Sequence, residues 1–454
     1  MNKFLNLSIT FIVFFILIGC SFGNRTGVWK DASEELEGIK KEKLYPIKPI
    51  FTKVEQFKKE VLSDKEINIS TSIKNQNWLQ QGLTSGNYVP HIKYDNIKEI
   101  SYRSKKIGKN PFRITDTDFE PLIFNGSIFF YDPTGNIFNY SINDEEIIWK
   151  FNFYKRKFEE IPILIDLKID SNNLIVSDNL GYLYSLNIDN AEVNWAKNYG
   201  IPFRSNIKID EDNIFLINQD NKFYAIKKND GVKYFDFETF PSFLKSQKEK
   251  SNISVDQKND NVYFITSTGE VYSINYKSGN INWLYKTSRS TLDKKGDIFF
   301  SSPIIFRNNK ILISTSVSTI LLNAIDGSVI WNLAFSTFVR PVISNNYIFL
   351  LSTDGFILNI SMETGKIVWS TNLLENVEKI SKRKVAEIGE FNSLILLSDQ
   401  IFLSSKNGYF LFADYQNGKA TSYLKLSRGF FSKPVVANGK AFVIDKDMRI
   451  LVFN

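Results

Sequence analysis

Cysteine and histidine, which often carry nucleophilic, redox or metal chemistry, occur once each in this chain of 454 residues, as Cys20 and His91. A single histidine excludes sites with two histidine ligands, and a single cysteine excludes internal disulfides, cysteine zinc sites and CxxC redox chemistry. The sequence also has no phosphate loop, dinucleotide turn or nucleophile elbow of the usual spacing. We therefore predict no catalytic motif, and we expect His91 to be a hydrogen-bonded structural residue.

The cysteine follows a short apolar run near the N-terminus. Lys3 provides a positive charge, and Phe11 to Ile18 is too short for an ordinary membrane span. The end of this run, Leu17-Ile18-Gly19-Cys20, resembles the bacterial lipobox, whose cysteine receives a diacylglycerol on its sulfur and becomes the new N-terminus. We expect residues 1–19 to be a lipoprotein signal peptide and Cys20 to be lipidated. The alternative is a plain membrane anchor that contains a cysteine.

The residue after the cysteine bears on the destination of the chain. Ser21, rather than Asp, stands there, and by resemblance to enterobacterial sorting this implies transport to the outer membrane, with the chain on its periplasmic face.

Residues 20–76 are rich in mixed charges, as in Asp31 to Lys43, and are interrupted by Pro46 and Pro49. This composition predicts a lipid anchor followed by a flexible linker with at most short helices.

Composition favours a β-sheet protein and argues against nucleic acid as a partner. Apolar residues make up 43% of the chain, which is enough for a packed core, and aromatic residues make up 15%, which suits pleated sheets. The net charge of +7 is a small excess of 56 Lys and Arg over 49 Asp and Glu. The sequence spreads this excess over the chain, without the clustered stripe that nucleic-acid binding needs.

The rest of the chain is an internal repeat. A turn residue followed by apolar residues at positions +2, +3 and +5 occurs eight times, at intervals averaging about 45 residues, the period of four-stranded propeller blades. The turn residues are Gly135, Gly181, Asn221, Gly269, Thr319, Gly355, Gly408 and Met448. A β-rich run precedes each turn, and prolines at 121, 303, 341 and 434 open first strands.

A large aromatic residue marks the fourth strand of each repeat. These residues are Trp149, Trp195, Tyr234, Trp283, Trp331, Trp369 and Tyr423. We expect each of the five Trp rings to be structural, buried between adjacent blades. Eight third strands but seven fourth strands leave one strand missing, and an open ring would expose its edges. The segment from Ile100 to Tyr102 can supply it. The sequence thus predicts an all-β fold, an eight-bladed β-propeller over residues 77–454 that an N-terminal strand closes.

The residues around the aromatic positions carry a family resemblance. Glu363 to Trp369 (ETGKIVW), Ser278 to Trp283 and Asp326 to Trp331 resemble the TGKxxW repeat of quinoprotein-type (PQQ-like) propellers. With the lipobox and the segment Asn77 to Gly82, they resemble the BamB family of lipoproteins, subunits of the outer-membrane β-barrel assembly (BAM) complex. The resemblance implies a non-enzymatic scaffold without cofactor or metal. Its implied partners are a POTRA domain of the barrel protein BamA, other BAM subunits and unfolded outer-membrane proteins.

The resemblance also points to a docking loop. In BamB-like proteins, loops in the region after Tyr234 dock on BamA, helped by acidic residues in the next inter-blade loop. Here the first loop contains Phe243, Leu244 and Lys245, which we expect to contact the partner unless the two apolar side chains fold back on the propeller. The next loop, residues 288–297, is mainly basic and polar, and so departs from the family pattern.

The sequence also leaves two other functions open. One is a PQQ-dependent quinoprotein dehydrogenase, although that family usually has a vicinal disulfide that a chain with one cysteine cannot form. The other is a ligand-binding propeller lipoprotein that binds a polyanion or a glycan through its slightly basic surface. Absorbance with added quinone and calcium separates the first from a scaffold, and the co-purifying partners separate the second.

Overall fold

Four-stranded antiparallel sheets account for the fold, and eight of them are present in the described part of the chain. The structure is a computed structural model. It describes residues 59–454 except 64, 96–97, 155–157, 240–252, 288–300, 317 and 353–354. The predicted signal peptide, the lipidation site Cys20 and the predicted docking residues Phe243, Leu244 and Lys245 lie outside this described part.

The first strand in the chain, β1 (Ile100–Arg103), belongs to the last blade, and the first four complete blades follow it. Blade 1 contains β2 (Leu122–Phe124), β3 (Ser127–Tyr131), β4 (Asn136–Ser141) and β5 (Glu146–Asn152). Blade 2 contains β6 (Ile165–Asp170), β7 (Asn173–Asp178), β8 (Tyr182–Asn187) and β9 (Val193–Asn198). Blade 3 contains β10 (Lys208–Asp210), β11 (Asn213–Ile217), β12 (Phe223–Lys227) and β13 (Lys233–Phe237). Blade 4 contains β14 (Ile253–Asp256), β15 (Asn261–Ile265), β16 (Glu270–Asn275) and β17 (Ile281–Lys286).

The second half of the ring repeats this arrangement. Blade 5 contains β18 (Ile305–Arg307), β19 (Lys310–Ser314), β20 (Thr319–Asn323) and β21 (Val329–Leu333). Blade 6 contains β22 (Val342–Ser344), β23 (Tyr347–Leu351), β24 (Phe356–Ser361) and β25 (Ile367–Asn372). Blade 7 contains β26 (Phe391–Leu397), β27 (Gln400–Ser405), β28 (Tyr409–Asp414) and β29 (Ala420–Lys425). Blade 8 contains β30 (Val435–Ala437), β31 (Lys440–Ile444), β32 (Ile450–Phe453) and β1.

The predicted closure is confirmed. Strand β1 pairs antiparallel with β32, with Tyr102 opposite Val452 and Arg103 opposite Leu451. The first strand of the chain is therefore the fourth strand of the last blade, and no blade of the described ring is left with three strands. This pairing removes the open edge that the strand count exposed in the sequence.

The core lies between neighbouring blades. Middle strands such as β3 and β4 are buried along their whole length, whereas the outer strands, such as β5 and β9, are mostly exposed. A strand covered on both faces needs an unbroken apolar run, which explains the FFY and IFL segments of the repeat. Between blades 3 and 4, for example, the rings of Phe223 and Phe264 stack with centroids 5.6 Å apart.

The repeated turn residues connect the second and third strands. Gly135, Gly181, Gly269, Gly355 and Gly408 have φ between 79° and 88°, a left-handed conformation that suits glycine. Asn221 and Met448 adopt φ of 63° and 62° at the same place. The prediction is wrong for Thr319, which is the first residue of β20 and not a turn residue.

A short helical insertion joins blades 6 and 7. It consists of α1 (Glu375–Ile380) and α2 (Lys382–Ile388), which the repeat pattern of the sequence does not predict. Ser381 caps α2, because its side chain accepts a hydrogen bond from the backbone N–H of Lys384. Within the described residues, no helix combines the length and the apolar character needed to cross a membrane.

The antiparallel order gives each blade two distinct ends. The turns between strands two and three and the connections from one blade to the next lie at one end, which we call the connector end. The turns between strands one and two and between strands three and four lie at the opposite end, which we call the turn end. First strands are innermost in each sheet and surround the central channel.

Candidate functional site

Residues 59–95, which we call the capping segment, cross the mouth of the central channel. Asn438 and Ser398, both in turns at the turn end, bond to it, so the segment covers the channel from that end. It bonds to the innermost strand of every blade. In blade order the contacts are Trp78 N to Ile123 O (2.8 Å), Ile169 N to Leu79 O (2.9 Å), Lys208 Nζ to Thr84 O (2.9 Å), Val255 N to Ser85 O (3.0 Å), Phe306 N to Gly86 O (2.9 Å), Ser70 N to Ser344 Oγ (2.8 Å), Ile92 N to Leu396 O (3.1 Å) and Asn75 Nδ2 to Val436 O (2.7 Å).

The capping segment differs from the linker that the sequence predicts up to residue 76. Its first described residues pair with the outer strand of blade 6, where Val61 N donates to Ser370 O over 3.1 Å and Ser370 N donates to Val61 O over 2.9 Å. Ile67 is 1% exposed and bonds to Gln416 in blade 7. Residues 59–76 are therefore part of the folded ring, although their polar composition resembles that of a linker.

Side-chain amides and a glycine allow the capping segment to pack closely against the innermost strands. The side chain of Asn87 donates to the carbonyl oxygens of Ile253 (2.7 Å) and Ile304 (2.9 Å), and so joins blades 4 and 5. Gly86 is required by close approach, because a Cβ atom there would lie 2.3 Å from the carbonyl oxygen of Phe306. Such contacts use backbone and amide groups and leave no hydrophobic periodicity.

Charged side chains beneath the capping segment are buried and bonded. Arg340 Nη2 lies 2.6 Å from Glu120 Oε1. The other oxygen, Glu120 Oε2, accepts from the indole N–H of Trp78 (3.0 Å) and the backbone N–H of Gly82 (2.8 Å). The Lys208 ammonium donates to the carbonyl oxygens of Gln81 (3.1 Å) and Thr84 (2.9 Å). These charges hold the capping segment in the channel.

Burial also shifts the protonation of the channel lysines. It lowers the pKa of Lys208 well below its ordinary value, and the positive charges of Lys168 and Arg340 lower this pKa further. Burial likewise lowers the pKa of Lys168 to about 8. Lys168 lines a cavity of about 310 Å³ between β6 and the capping segment.

His91 ties the capping segment to blade 7. Its Nδ1 faces the carbonyl oxygen of Ser70 at 2.5 Å, and its Nε2 faces the carbonyl oxygen of Ser398. The residue is 5% exposed. Among the described residues, no group of three or more His, Cys, Asp and Glu side chains is arranged to hold a metal ion.

The repeated aromatic residues lie in the fourth strands, and most of them bond to the following blade. Each bonded ring donates to a carbonyl oxygen just after the third strand of that blade. The pairs are Trp149 with Ile188 (2.8 Å), Trp195 with Lys228 (2.9 Å), Tyr234 with Tyr276 (2.8 Å), Trp283 with Ala324 (2.9 Å) and Trp331 with Met362 (2.9 Å). Trp369 is 1% exposed and packs without a hydrogen bond to its indole nitrogen.

The predicted docking loop joins blades 3 and 4. Its flanking strands, β13 and β14, end and begin at the connector end, at Phe237 and Ile253. Beside the loop, the Lys222 ammonium lies between Asp236 and Glu238, at 2.7 Å from Glu238 Oε1. The loop residues themselves, and the basic loop at 288–297, lie beyond the described ranges.

Comparison with known proteins decides the family. The family model described as "Outer membrane protein assembly factor BamB" matches residues 133–371. This chain belongs to the BamB family. The outer membrane protein assembly factor BamB of Shewanella oneidensis is 20% identical over 344 residues, which cover 73% of this chain and 83% of that protein.

Solved structures agree with the BamB fold. BamB from Moraxella catarrhalis superimposes with a TM-score of 0.64 at 13% identity, over 79% of this chain and 100% of that chain. The quinohemoprotein alcohol dehydrogenase of Comamonas testosteroni superimposes with a TM-score of 0.65 at 9% identity, over 84% of this chain and 81% of that chain. A BamB and an enzyme thus match this chain equally well in shape, so the propeller fold does not by itself decide the function.

Proposed function

We propose that this chain is a non-enzymatic scaffold lipoprotein of the outer-membrane β-barrel assembly complex. In this role it binds BamA through a POTRA domain, associates with other BAM subunits, and assists the folding and insertion of outer-membrane proteins. The observation that carries the proposal is the match of the BamB family model to residues 133–371, more than half of the chain. The lipid on Cys20 would hold the ring at the periplasmic face of the outer membrane.

The contents of the channel support a role without catalysis. At the turn end, the capping segment covers the channel and bonds to all eight innermost strands. Glu120, Arg340 and Lys208 are engaged by each other or by this segment. His91 faces only backbone carbonyl oxygens.

The connector end is the surface that we propose for BamA. Four of its connections are long, and two of these run from Phe237 to Ile253 and from Lys286 to Ile305. Long loops on a rigid scaffold commonly bind partners. The connection from Phe237 to Ile253 contains Phe243, Leu244 and Lys245. Apolar side chains in an exposed loop can form the desolvated centre of an interface.

Co-purification from detergent-solubilised membranes tests the proposal. The full-length chain should carry BamA and other BAM subunits with it, and added quinone and calcium should produce no quinone absorbance band in the purified protein. Recovery of the chain without BamA would contradict the scaffold role. A Cys20→Ser variant tests the anchor separately, because it should leave the outer-membrane fraction but still bind soluble POTRA domains.

A further inference from the structure

Six cations from three loops meet at the connector end of blade 8. They are Lys105, Lys106, Lys109, Arg113, Arg428 and Lys446, which we call the basic patch. The first five are exposed and Lys446 is half-buried. Four belong to the connection from β1 to β2, one to the connection from β29 to β30, and one to the turn between β31 and β32. The fold thus brings two distant cations, Arg428 and Lys446, next to four that are close together in the sequence.

Hydrogen bonds join the three loops of the patch into one surface. Ile107 N donates to Met448 O over 3.0 Å, and Lys446 N donates to Gly429 O over 3.0 Å. The side chain of Asn110 donates to Lys446 O over 3.1 Å, and Arg103 donates to Leu426 O over 2.8 Å. The cations therefore extend from a backbone that is already fixed, and little backbone ordering would accompany binding.

The acidic residues around the patch are engaged elsewhere. Asp116 pairs with Lys406 at 2.9 Å, Asp118 pairs with Lys433 at 2.7 Å, and Asp447 pairs with Arg449 at 3.4 Å. Asp132 is fully buried. None of the six patch cations forms an ion pair within the described part of the chain, whereas many other surface lysines do. The patch is therefore a local excess of positive charge that faces solvent.

We propose that the basic patch docks the propeller on an anionic phospholipid surface. Four of the six cations are lysines, which are depleted at the core of protein interfaces but suit the diffuse charge of lipid headgroups. The patch has no exposed aromatic residue that could anchor a protein partner; Phe112 beside it is half-buried. A membrane is the occupant that this charge pattern fits best.

The length of chain before the capping segment permits this contact. Lys59 and Val61 lie at the outer edge of blade 6, and the residues between Cys20 and Lys59 can extend to about 130 Å at most. A lipid on Cys20 would thus allow the connector end to reach the membrane that holds the anchor. This step rests on the proposed lipidation, whereas binding by the patch itself does not.

Fluorescence energy transfer from the labelled protein to lipid vesicles tests the proposal. The full-length lipoprotein is reconstituted in vesicles of phosphatidylcholine alone or with phosphatidylglycerol added, each with a fluorescent acceptor lipid. A donor is attached to Thr115→Cys, an exposed position beside the patch. The label is specific because lipidation consumes the thiol of the only native cysteine. Transfer should be higher with phosphatidylglycerol and should fall as salt is added.

Charge reversal of the patch gives the decisive comparison. Lys105→Glu with Lys106→Glu and Lys109→Glu should lower the ratio of docked to undocked protein at least about 100-fold, since each lysine near an anionic surface contributes about fivefold. The control is Lys227→Glu with Lys366→Glu and Lys419→Glu, three exposed lysines at the turn end. It makes the same change in net charge and should retain docking.

Several results would overturn the proposal. They are equal transfer in both kinds of vesicle, unchanged transfer in the patch variant, and equal loss in the control variant. Binding of the wild-type chain to polyglutamate, without a response to phosphatidylglycerol, would assign the patch to an acidic protein instead. Flotation with neutral vesicles reports the anchor separately: an unlipidated chain would not float with them but would still float with anionic vesicles through the patch.

Discussion

Arg340 and Glu120 form an ion pair across the central channel, with 2.6 Å between Nη2 and Oε1. Arg340 precedes β22 of blade 6 and Glu120 precedes β2 of blade 1, so the pair links blades that are not neighbours. Their side chains are 10% and 2% exposed. Because Glu120 also accepts hydrogen bonds from Trp78 and Gly82, this pair joins both sides of the ring to the capping segment.

Breaking this pair from one side should destabilise the ring more than removing both charges. Glu120→Gln or Arg340→Met alone leaves a buried charge without its partner, which we expect to lower the free energy of unfolding by about 3–5 kcal/mol. The double variant has no such unpaired charge. Its loss of unfolding free energy should be clearly smaller than the sum of the losses in the two single variants. Urea unfolding of the four proteins measures this coupling. Effects that add to within about 0.5 kcal/mol would show that the two side chains act independently.

Residues 59–70 should contribute to stability, in contrast to the linker prediction. Deleting residues 22–70 removes the Val61 pairing with Ser370, the Ser70 bond to Ser344 and the buried Ile67. We expect unfolding free energy to be lower by about 2–4 kcal/mol than after deletion of residues 22–58. Parallel urea titrations of the two truncated chains give the comparison. Identical midpoints and slopes would mean that these contacts do not stabilise the ring.

Much of the ring could be predicted because a blade repeats its physical requirements. Each middle strand needs an apolar run, most turns between second and third strands need a residue that accepts positive φ, and the count of strands requires closure by the segment at Ile100. The capping segment could not be predicted in this way. Its contacts are made by backbone and amide groups, as at Gly86 and Asn87, and these leave no period in the sequence.

The ion pair in the channel and the basic patch could not be predicted from the sequence for a related reason. Lys105 and Lys446 are hundreds of residues apart in sequence, and closure of the ring places them in adjoining loops. In the same way, Arg340 meets Glu120 only when the first and sixth blades face each other across the channel. The four cations at residues 105–113 are a local signal in the sequence, but the contribution of Arg428 and Lys446 depends on the closed ring and leaves none.

Trp283 tests the role of the repeated aromatic residues. Its ring is 9% exposed and its indole N–H donates to the carbonyl oxygen of Ala324 in the next blade. Trp283→Ala should cost about 3–5 kcal/mol of unfolding free energy, because it leaves a cavity at the blade contact. Tyr423→Ala is the control, since Tyr423 lies in the fourth strand of blade 7 one residue beyond the position that matches Trp283, and it is 40% exposed. Equal losses for the two variants in chemical denaturation would argue against a special role for the buried ring.

Lys168 should make stability depend on pH. Its pKa is lowered from 10.5 to about 8 by burial. Between these pH values the unfolded chain binds more protons than the folded chain, so this lysine makes stability rise as pH rises through that window. At pH 7 the charge of this half-buried lysine is present, and Lys168→Met should therefore be more stable than the wild type.

The difference in unfolding free energy between Lys168→Met and the wild type isolates the effect of Lys168. Measured by urea unfolding, this difference should shrink between pH 7 and about pH 10, as Lys168 of the folded wild type loses its proton. Lys227→Met changes an exposed lysine and should show no such trend. A constant difference across this range would mean that Lys168 does not titrate there.

The predicted docking loop can be tested with paired charge substitutions. Phe243→Glu with Leu244→Glu should weaken BamA binding at least about tenfold while the ring stays folded, because two charges would have to be desolvated at the contact. The control is Ile325→Glu with Val329→Glu, two apolar residues that are 71% and 45% exposed at the turn end. Isothermal titration with soluble POTRA domains measures both affinities. Unchanged affinity in a folded loop variant would remove this loop from the interface. Equal weakening in the control would mean that the change in net charge, and not the loop, lowers the affinity.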